Sequence, residues 1–294
     1  MDKNYRQGIM YGLGAYCLWG ILPIYWKLLQ HVPALEILAN RFIWSAVFVF
    51  FLLLVTGKFK VFLSETAAVF SKFKTGTAML AAAVTISFNW GIFIWAVEAG
   101  RIVESSMGYY INPLVSVLFG MVFLREKLDK LQWTAVICAV IGIAIMLVKN
   151  GSLPWVSVSL AFTFALYGLL KKIIPVSAMT SIMLETLLIM PVAIGYLYFL
   201  STSGDCTYQS GDLLTISVLI GAGAVTATPL LLFTSCAKLL PLKIVGFMQY
   251  LSPTISLFLG IFVYGEVFTS THMLSFGCIW LGLLFFTWSQ IRLK

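Results

Sequence analysis

The sequence predicts an all-α integral membrane protein in which ten transmembrane helices form two inverted five-helix repeats. Three observations predict this fold: an apolar composition, ten long apolar segments and an internal repeat. Of the 294 residues, 61% are hydrophobic and only 10% are charged, against roughly 25% charged residues in an ordinary soluble domain. Because so few charges cannot cover the surface of a soluble domain of this length, the outer surface is predicted to face lipid.

Ten apolar segments are separated by short polar loops, and several approach the ~20 residues that a helix needs to cross a ~30 Å hydrocarbon core. They extend over 8–29, 37–56, 77–97, 102–124, 132–148, 153–170, 180–200, 213–237, 244–264 and 273–290. None alternates apolar and polar residues as barrel strands do, so each is predicted to be a helix. The first is too long for a signal peptide and lacks an Ala-x-Ala cleavage site, so it is interpreted as a retained helix.

Basic residues lie in every second loop, counted from the N-terminal segment. These residues are Lys3, Arg6, Lys58, Lys60, Lys72, Lys74, Arg125, Lys127, Lys130, Lys171, Lys172, Lys238, Lys243, Arg292 and Lys294. The intervening loops contain only Lys27, Arg101 and Lys149. Because short basic loops face the cytoplasm, both termini are predicted to be cytoplasmic. The cations are dispersed rather than clustered on one face, which argues against a nucleic-acid partner.

The two halves of the chain repeat at a shift of 140 residues, where segment 110–120 (YINPLVSVLFG) aligns with segment 250–260 (YLSPTISLFLG). The shared positions are Tyr110, Pro113, Ser116, Gly120 and Glu126 in the first half and Tyr250, Pro253, Ser256, Gly260 and Glu266 in the second. The predicted repeats are 1–149 and 150–294, each with five helices. An odd number of crossings inverts the second copy, which is typical of secondary transporters with a binding site between the copies.

Prolines inside the predicted helices mark candidate breaks or hinges beside that site. Pro113 and Pro253 each remove a backbone donor, and the carbonyls they free are tolerated at membrane depth only where protein or a watery cavity satisfies them. Pro229 is predicted to act in the same way. The alternative is that such prolines only kink a helix for packing.

Two ionisable side chains lie well inside predicted helices, where a charge commonly costs ~2.5 to 3.5 kcal/mol on insertion scales. Arg41 and Glu185 occupy matching positions in the second and seventh helices. Because the repeats are inverted, the two lie over ~10 Å apart along the normal of a ~30 Å core, which disfavours a salt bridge. We predict that Arg41 binds an anionic group in the outer part of a central cavity and that Glu185 titrates or orients the solute from the cytoplasmic part. Snorkelling or local capping is the alternative.

Aromatic and amide side chains near the candidate breaks are predicted to bind a flat or amphipathic solute. The chosen residues are Trp19, Asn89, Trp90, Tyr110, Tyr167, Gln249 and Tyr250. The alternatives are interface anchoring or packing for the aromatic residues and an interhelical hydrogen bond for Asn89.

Several strings resemble the RarD-type permeases of the EamA-like branch of the drug/metabolite transporter superfamily. They are 6–8 (RQG), 15–20 (AYCLWG), 32–38 (VPALEIL), 89–90 (NW), 93–97 (FIWAV), 108–114 (GYYINPL) and 151–154 (GSLP). The resemblance covers nearly the whole chain and is most specific at 108–114. It implies a permease of the bacterial cytoplasmic membrane that exports amino acids, drugs or other small metabolites.

The sequence argues against several other functions. It has no Gly-x-x-x-x-Gly-Lys-Ser/Thr string, so a gradient or exchange is predicted to drive transport, with a proton as the candidate coupling ion and no cofactor. Two histidines are too few for a His-rich metal site. An intramembrane enzyme acting on a lipid-linked substrate is the alternative, and it would use Glu36, Glu98, Glu104 or Arg101. A receptor-like subunit is a third interpretation, although long loops for a partner protein are missing.

Overall fold

The protein is a bundle of long helices in the part of the chain that the structure, a computed structural model, describes: residues 3–99, 101–150, 155–209, 212–263 and 270–292. The helices are α1 (Lys3–Lys27), α2 (Ala34–Val55), α3 (Phe59–Phe70), α4 (Phe73–Glu98), α5 (Ile102–Leu124), α6 (Lys130–Asn150), α7 (Trp155–Ile173), α8 (Ala178–Ser203), α9 (Leu213–Leu239), α10 (Leu242–Met248), α11 (Leu251–Phe262) and α12 (Ser270–Arg292). A short 3-10 turn, Thr207–Gln209, follows α8. Ten segments are long and apolar enough to cross a membrane, with α10 and α11 forming one of them. The predicted all-α fold with ten spans is confirmed.

Helix α3 was missed, because the sequence analysis assigned its residues to a basic loop. It has 12 residues, about 18 Å at 1.5 Å per residue, which is too short to cross the bilayer. Phe62 and Val69 are buried on one side of it, whereas Lys60 and Ser64 are exposed. The carboxylate of Glu65 accepts hydrogen bonds from the backbone N–H of Ser177 (2.9 Å) and from its hydroxyl (2.7 Å), which attaches α3 to the start of α8.

Contacts between the two halves come in matched pairs. Helix α1 packs on α9 and α11, and its counterpart α7 packs on α4 and α5. Helix α2 packs on α9 in the way that α8 packs on α4. Three further contacts join counterparts directly: α2 with α8, α5 with α10, and α6 with α12. Two copies related by a pseudo-two-fold axis make such pairs, and five crossings per copy invert the second copy relative to the first.

Both ends of the described chain lie on one side of the bundle. The Tyr5 hydroxyl near the start of α1 donates a hydrogen bond to the Gln290 side-chain oxygen near the end of α12, over 3.1 Å. The contact agrees with an even number of crossings. We call this side the terminal side and the opposite side, where α1 ends and α2 begins, the distal side.

The ninth span is divided into α10 and α11, and the division precedes Pro253. A proline cannot donate to the carbonyl four residues earlier, which here belongs to Gln249. That carbonyl instead accepts a hydrogen bond from the Ser252 N–H over 3.2 Å. Helices α5 and α9, by contrast, continue through Pro113 and Pro229 without a break. The expected interruption at those two prolines is therefore absent, and their action as hinges stays a prediction.

Candidate functional site

Arg41 lies among aromatic rings in the distal half of the bundle. Arg41 is seven residues beyond the start of α2 at Ala34, or about 10 Å into the bundle. Its Nε donates a hydrogen bond to the Thr226 hydroxyl of α9 over 3.0 Å. The guanidinium carbon lies 4.0 Å from the ring centroid of Trp90 and 5.0 Å from that of Trp26. We call Arg41, Trp26, Trp90, Thr226 and Tyr109 the arginine cage.

Tyr109 of α5 completes the cage. Its phenol lies close enough to the Arg41 guanidinium for the two groups to interact electrostatically. Its ring packs edge-on against Phe93, with 5.9 Å between the centroids. The Tyr109 side chain is 50% exposed although its neighbours in the cage are partly buried. Tyr109 therefore adds a partly exposed aromatic ring to the cage.

The Arg41 guanidinium has no carboxylate partner within 4.0 Å in the described part of the chain. An arginine carries five N–H donors, and the one described hydrogen bond of Arg41 uses Nε alone. The two indole rings lie over the guanidinium, so the donors on its edge remain for a ligand. A charge inside a membrane bundle is costly, and such charges commonly mark a solute or ion pathway.

Arg41 and Trp90 are predicted site residues, whereas the sequence does not point to the other three members of the cage. Trp26 lies near the end of α1, where tryptophan commonly anchors a helix at the membrane interface, so its position gave no reason to choose it. Tyr109 is not part of the internal repeat, because Gln249 stands 140 residues later. Thr226 carries no signal in the sequence, since a hydroxyl inside an apolar helix usually bonds to its own backbone.

A second charged group lies in the terminal half of the bundle. Lys171 of α7 and Glu185 of α8 form a buried ion pair. The Lys171 ammonium also donates to the Ser181 hydroxyl over 2.9 Å, and that hydroxyl donates to Glu185 Oε1 over 3.0 Å. The Tyr167 hydroxyl donates to Glu185 Oε2 over 2.9 Å. These four residues form a buried ion-pair cluster in which both carboxylate oxygens accept hydrogen bonds.

The prediction for Lys171 was wrong. The sequence analysis ended the sixth span at residue 170 and assigned Lys171 to a basic loop. Helix α7 instead continues to Ile173, and the Lys171 side chain is fully buried. Hydropathy ends a span at the first charge, but a lysine near a helix end can remain inside the bundle where a carboxylate on the next helix pairs with it.

An aromatic group lies between the arginine cage and the buried ion-pair cluster. The ring of Trp19 packs against those of Tyr16, Phe164 and Phe233 at centroid distances of 5.6, 5.7 and 5.5 Å. Phe233 also stacks on Tyr167 with an interplanar angle of 10°. Rings from α1, α7 and α9 therefore fill the middle of the bundle and extend to the charged pair. Trp19 and Tyr167 were both predicted site residues.

Asn89 connects two helices. Its side-chain amide is buried and donates to the Leu160 carbonyl over 2.9 Å and to the Thr163 hydroxyl over 2.8 Å. Both acceptors belong to α7, so the amide ties α4 to α7. This geometry favours the interhelical hydrogen bond that was the alternative for Asn89.

The other predicted residues lie around the divided ninth span and α5. Gln249, at the division, accepts a hydrogen bond from the Ser116 hydroxyl of α5 over 3.3 Å. The hydroxyl of Tyr250 is buried and has no described hydrogen-bond partner. Tyr110 packs edge-on against Phe276 of α12 at 5.2 Å. None of the three has a described contact with Arg41, so the structure does not bring all the predicted residues together.

The structure describes the surroundings of some of the residues that an intramembrane enzyme would use. Glu36 is fully buried, and its carboxylate accepts the backbone N–H of Thr207 (2.8 Å) and the Thr207 hydroxyl (2.7 Å). It therefore holds the loop after α8. The side chains of Glu98 and Glu104, and the whole of Glu266, lie outside the described residues. Among the side chains that are described, no three of His, Cys, Asp or Glu lie together as metal ligands would.

Comparison with known proteins agrees with this architecture. The EamA-like transporter family matches residues 6–148. The chain is 46% identical to the uncharacterized transporter YojE of Bacillus subtilis, over 98% of this chain and 96% of that protein. It is 41% identical to protein RarD of Escherichia coli, over 98% and 96%. It is 30% identical to the chloramphenicol-sensitive protein RarD of Pseudomonas aeruginosa, over 98% and 95%.

A solved crystal structure has the same fold, with a TM-score of 0.70 at 15% identity over 95% of this chain and 96% of that one. Ten spans, matched contacts between the halves and these relatives define a multi-pass membrane transporter. The chain belongs to the EamA-like transporter family of the drug/metabolite transporter superfamily, and within it to the RarD-type proteins.

Proposed function

We propose that this protein is a secondary-active transporter that moves a small metabolite, amino acid or drug-like solute across the bacterial cytoplasmic membrane by alternating access, in the direction of export. The observation that carries the proposal is the Arg41 guanidinium, which has no carboxylate partner among the described residues and lies inside a bundle built from two inverted copies. Such a charge is costly unless a solute or ion uses it.

The matched contacts between the halves support alternating access. The described contacts of α1 with α9 and α11 have counterparts in those of α7 with α4 and α5. If the two copies, 1–149 and 150–294, exchange their conformations, the same contacts are formed with the opposite side open. The copies differ at one matched pair of spans, because the ninth span is divided beside Pro253 whereas α5 continues through Pro113. We assign hinge roles to these prolines and to Pro229.

Both termini lie in the cytoplasm in this proposal, since the basic loops belong to the terminal side. The arginine cage then lies in the outer half of the membrane and binds an anionic group of the solute. The buried ion-pair cluster lies in the cytoplasmic half, where protonation of Glu185 uncouples it from Lys171. A proton is the proposed coupling ion.

Transport into liposomes tests the proposal. The purified protein is reconstituted, and uptake of radiolabelled leucine, tryptophan, benzoate and chloramphenicol is measured with a pH gradient of either sign and without one. We expect at least one solute to accumulate faster than in empty liposomes and faster with one sign of the gradient. The proposal fails if no solute exceeds the empty-liposome rate under any gradient.

Two substitutions test the assigned residues in the same liposomes. Arg41→Ala is expected to abolish most of the uptake, and Glu185→Gln is expected to remove its dependence on the pH gradient. Equal reconstituted amounts are verified for each variant. Normal, gradient-dependent uptake by both variants would remove these residues from the mechanism.

A further inference from the structure

The geometry of the arginine cage selects the chemistry of its ligand. The ring centroids of Trp90 and Trp26 lie 4.0 and 5.0 Å from the Arg41 guanidinium carbon, so aromatic rings cover the cation. Thr226 accepts the Nε–H. What remains is the edge of the guanidinium with its terminal N–H groups, the edge that binds a carboxylate or sulfonate through two parallel hydrogen bonds.

The charge of the cage limits the ligand further. Arg41 is the one cation in the cage, and no described carboxylate lies within 4.0 Å of it. One positive charge is neutralised by one negative charge, so a dianion would keep an unpaired charge in a low-dielectric interior. An ammonium group would approach the guanidinium without a described carboxylate to pair with it. The cage therefore disfavours dianions, cations and zwitterions.

The walls of the cage determine the remainder of the ligand. The half-exposed ring of Tyr109 lies beside Arg41, and Phe93 packs against it at 5.9 Å. On the other side, Phe42 packs against Trp90 at 5.3 Å. Faces of this kind favour a flat apolar body, which they bind by burying aromatic surface.

We infer that the arginine cage binds an organic monoanion, in which a single carboxylate or sulfonate is attached to a flat apolar body, in preference to the zwitterion or cation of the same skeleton. The inference rests on the proposed function and narrows it, since it removes free amino acids from the preferred cargo. The carboxylate bonds to the edge of Arg41, and the apolar body lies against Tyr109.

Three indole compounds that differ mainly in charge test the inference. Binding of labelled indole-3-acetate to the purified protein is measured by scintillation proximity, with unlabelled indole-3-acetate, tryptophan and tryptamine as competitors. We expect the anion to bind roughly tenfold or more tightly than either competitor. Tryptamine lacks the carboxylate for the bidentate contact, and the ammonium of tryptophan has no described carboxylate in the cage to pair with. Similar affinity for all three, tighter binding of tryptophan or tryptamine, or no binding of the anion would overturn the inference.

Substitutions locate the binding. Arg41→Met is expected to weaken indole-3-acetate binding roughly tenfold to hundredfold, and Arg41→Lys to weaken it less, because lysine keeps the charge but loses the planar fork. Arg101→Met is the matched control. Arg101 also lies over two indoles, Trp95 and Trp155, at 5.7 and 5.4 Å, but it precedes the first residue of α5 and is not part of the arginine cage.

Each variant is first verified as monodisperse by size-exclusion chromatography, and Arg41→Lys carries the test if Arg41→Met does not fold. Unchanged anion binding in the folded Arg41 variants, or equal weakening in Arg101→Met, would contradict the assigned site. Transport of another solute without a preference for the anion would overturn this inference alone. Retained anion binding without any transport in liposomes would overturn the proposed function alone.

Discussion

Arg41 and Glu185 occupy matching places in the two copies, yet their surroundings are opposite. Glu185 pairs with Lys171 and accepts hydrogen bonds from Ser181 and Tyr167. Arg41 has one described hydrogen bond, to Thr226, and otherwise contacts aromatic rings. One copy neutralises its charge internally, whereas the other leaves its charge for a ligand. Equivalent positions in an approximately symmetric fold can therefore have different roles.

The sequence accounts for this asymmetry. The segment Leu18-Trp19-Gly20 resembles Leu166-Tyr167-Gly168, and the same alignment continued by three residues sets Pro23 opposite Lys171. The first copy therefore has a proline where the second has the lysine that pairs with Glu185. It also has an indole, Trp19, in place of the phenol that donates to that carboxylate. No partner for Arg41 is available at the corresponding positions.

The largest effect is expected from breaking the buried ion pair on one side. Lys171→Met leaves the Glu185 carboxylate buried with its main charge partner removed, and the free energy of unfolding should fall by about 3 to 5 kcal/mol. The double variant Lys171→Met with Glu185→Gln removes both charges and should recover most of this loss. Unfolding in mixed micelles, followed by circular dichroism, measures each step.

Lys60→Met is the matched control, because Lys60 is exposed on α3 and its loss should change stability by under about 0.5 kcal/mol. A loss of less than about 1 kcal/mol for Lys171→Met would show that the pair adds little to the fold. No recovery in the double variant would show that the loss does not come from the uncompensated Glu185 carboxylate. Internal neutralisation of Glu185 would then no longer distinguish it from Arg41.

A smaller loss is expected where α2 crosses α9 beside the arginine cage. Gly223 packs directly on the backbone of Trp44, and a Cβ there would lie closer to Trp44 than carbon atoms approach in folded proteins. The Ser45 hydroxyl also donates to the Gly223 carbonyl over 3.1 Å. Gly223→Leu should push the helices apart, cost about 1 to 3 kcal/mol and separate Arg41 from Thr226 one turn away.

Gly277→Leu on α12 is the control for this substitution, since no atom lies within 4 Å of a Cβ built there. Thermal unfolding and indole-3-acetate binding are measured on both variants. We expect Gly223→Leu to lower both and Gly277→Leu to leave both unchanged. If the two variants behave alike, the close crossing of α2 and α9 does not support the cage.

The architecture could be predicted from the sequence because hydropathy and the internal repeat are properties of long segments. All ten spans were found on this basis, including the ninth, which is divided at Gln249. Helix α3 was missed because a helix of 12 residues lying beside the bundle has no length signal for a membrane span. The division before Pro253, and its absence at Pro113, depends on local packing that the shared motif does not encode.

The neighbours of the charges could not be predicted. Arg41 and Glu185 were recognised by their cost in lipid alone. Lys171 was missed, because a lysine two residues from the end of a helix looks like a loop cation until the facing helix is known. Trp26 and Thr226 come to Arg41 from α1 and α9, far apart in the chain, and no spacing in the sequence connects them to it.

The smallest effect on stability is expected at Arg41, which distinguishes it from the Lys171–Glu185 pair. Arg41→Met removes one hydrogen bond and two contacts with indole rings, but it also removes a charge with no described carboxylate partner from the interior. These contributions oppose each other, so the free energy of unfolding should change by under about 1 kcal/mol, measured in the same micelles as Lys171→Met. A loss equal to that of Lys171→Met would make Arg41 a structural residue. A small loss of stability together with lost anion binding would show that the two sites have different roles. The Lys171–Glu185 pair would stabilise the fold, and Arg41 would bind the ligand.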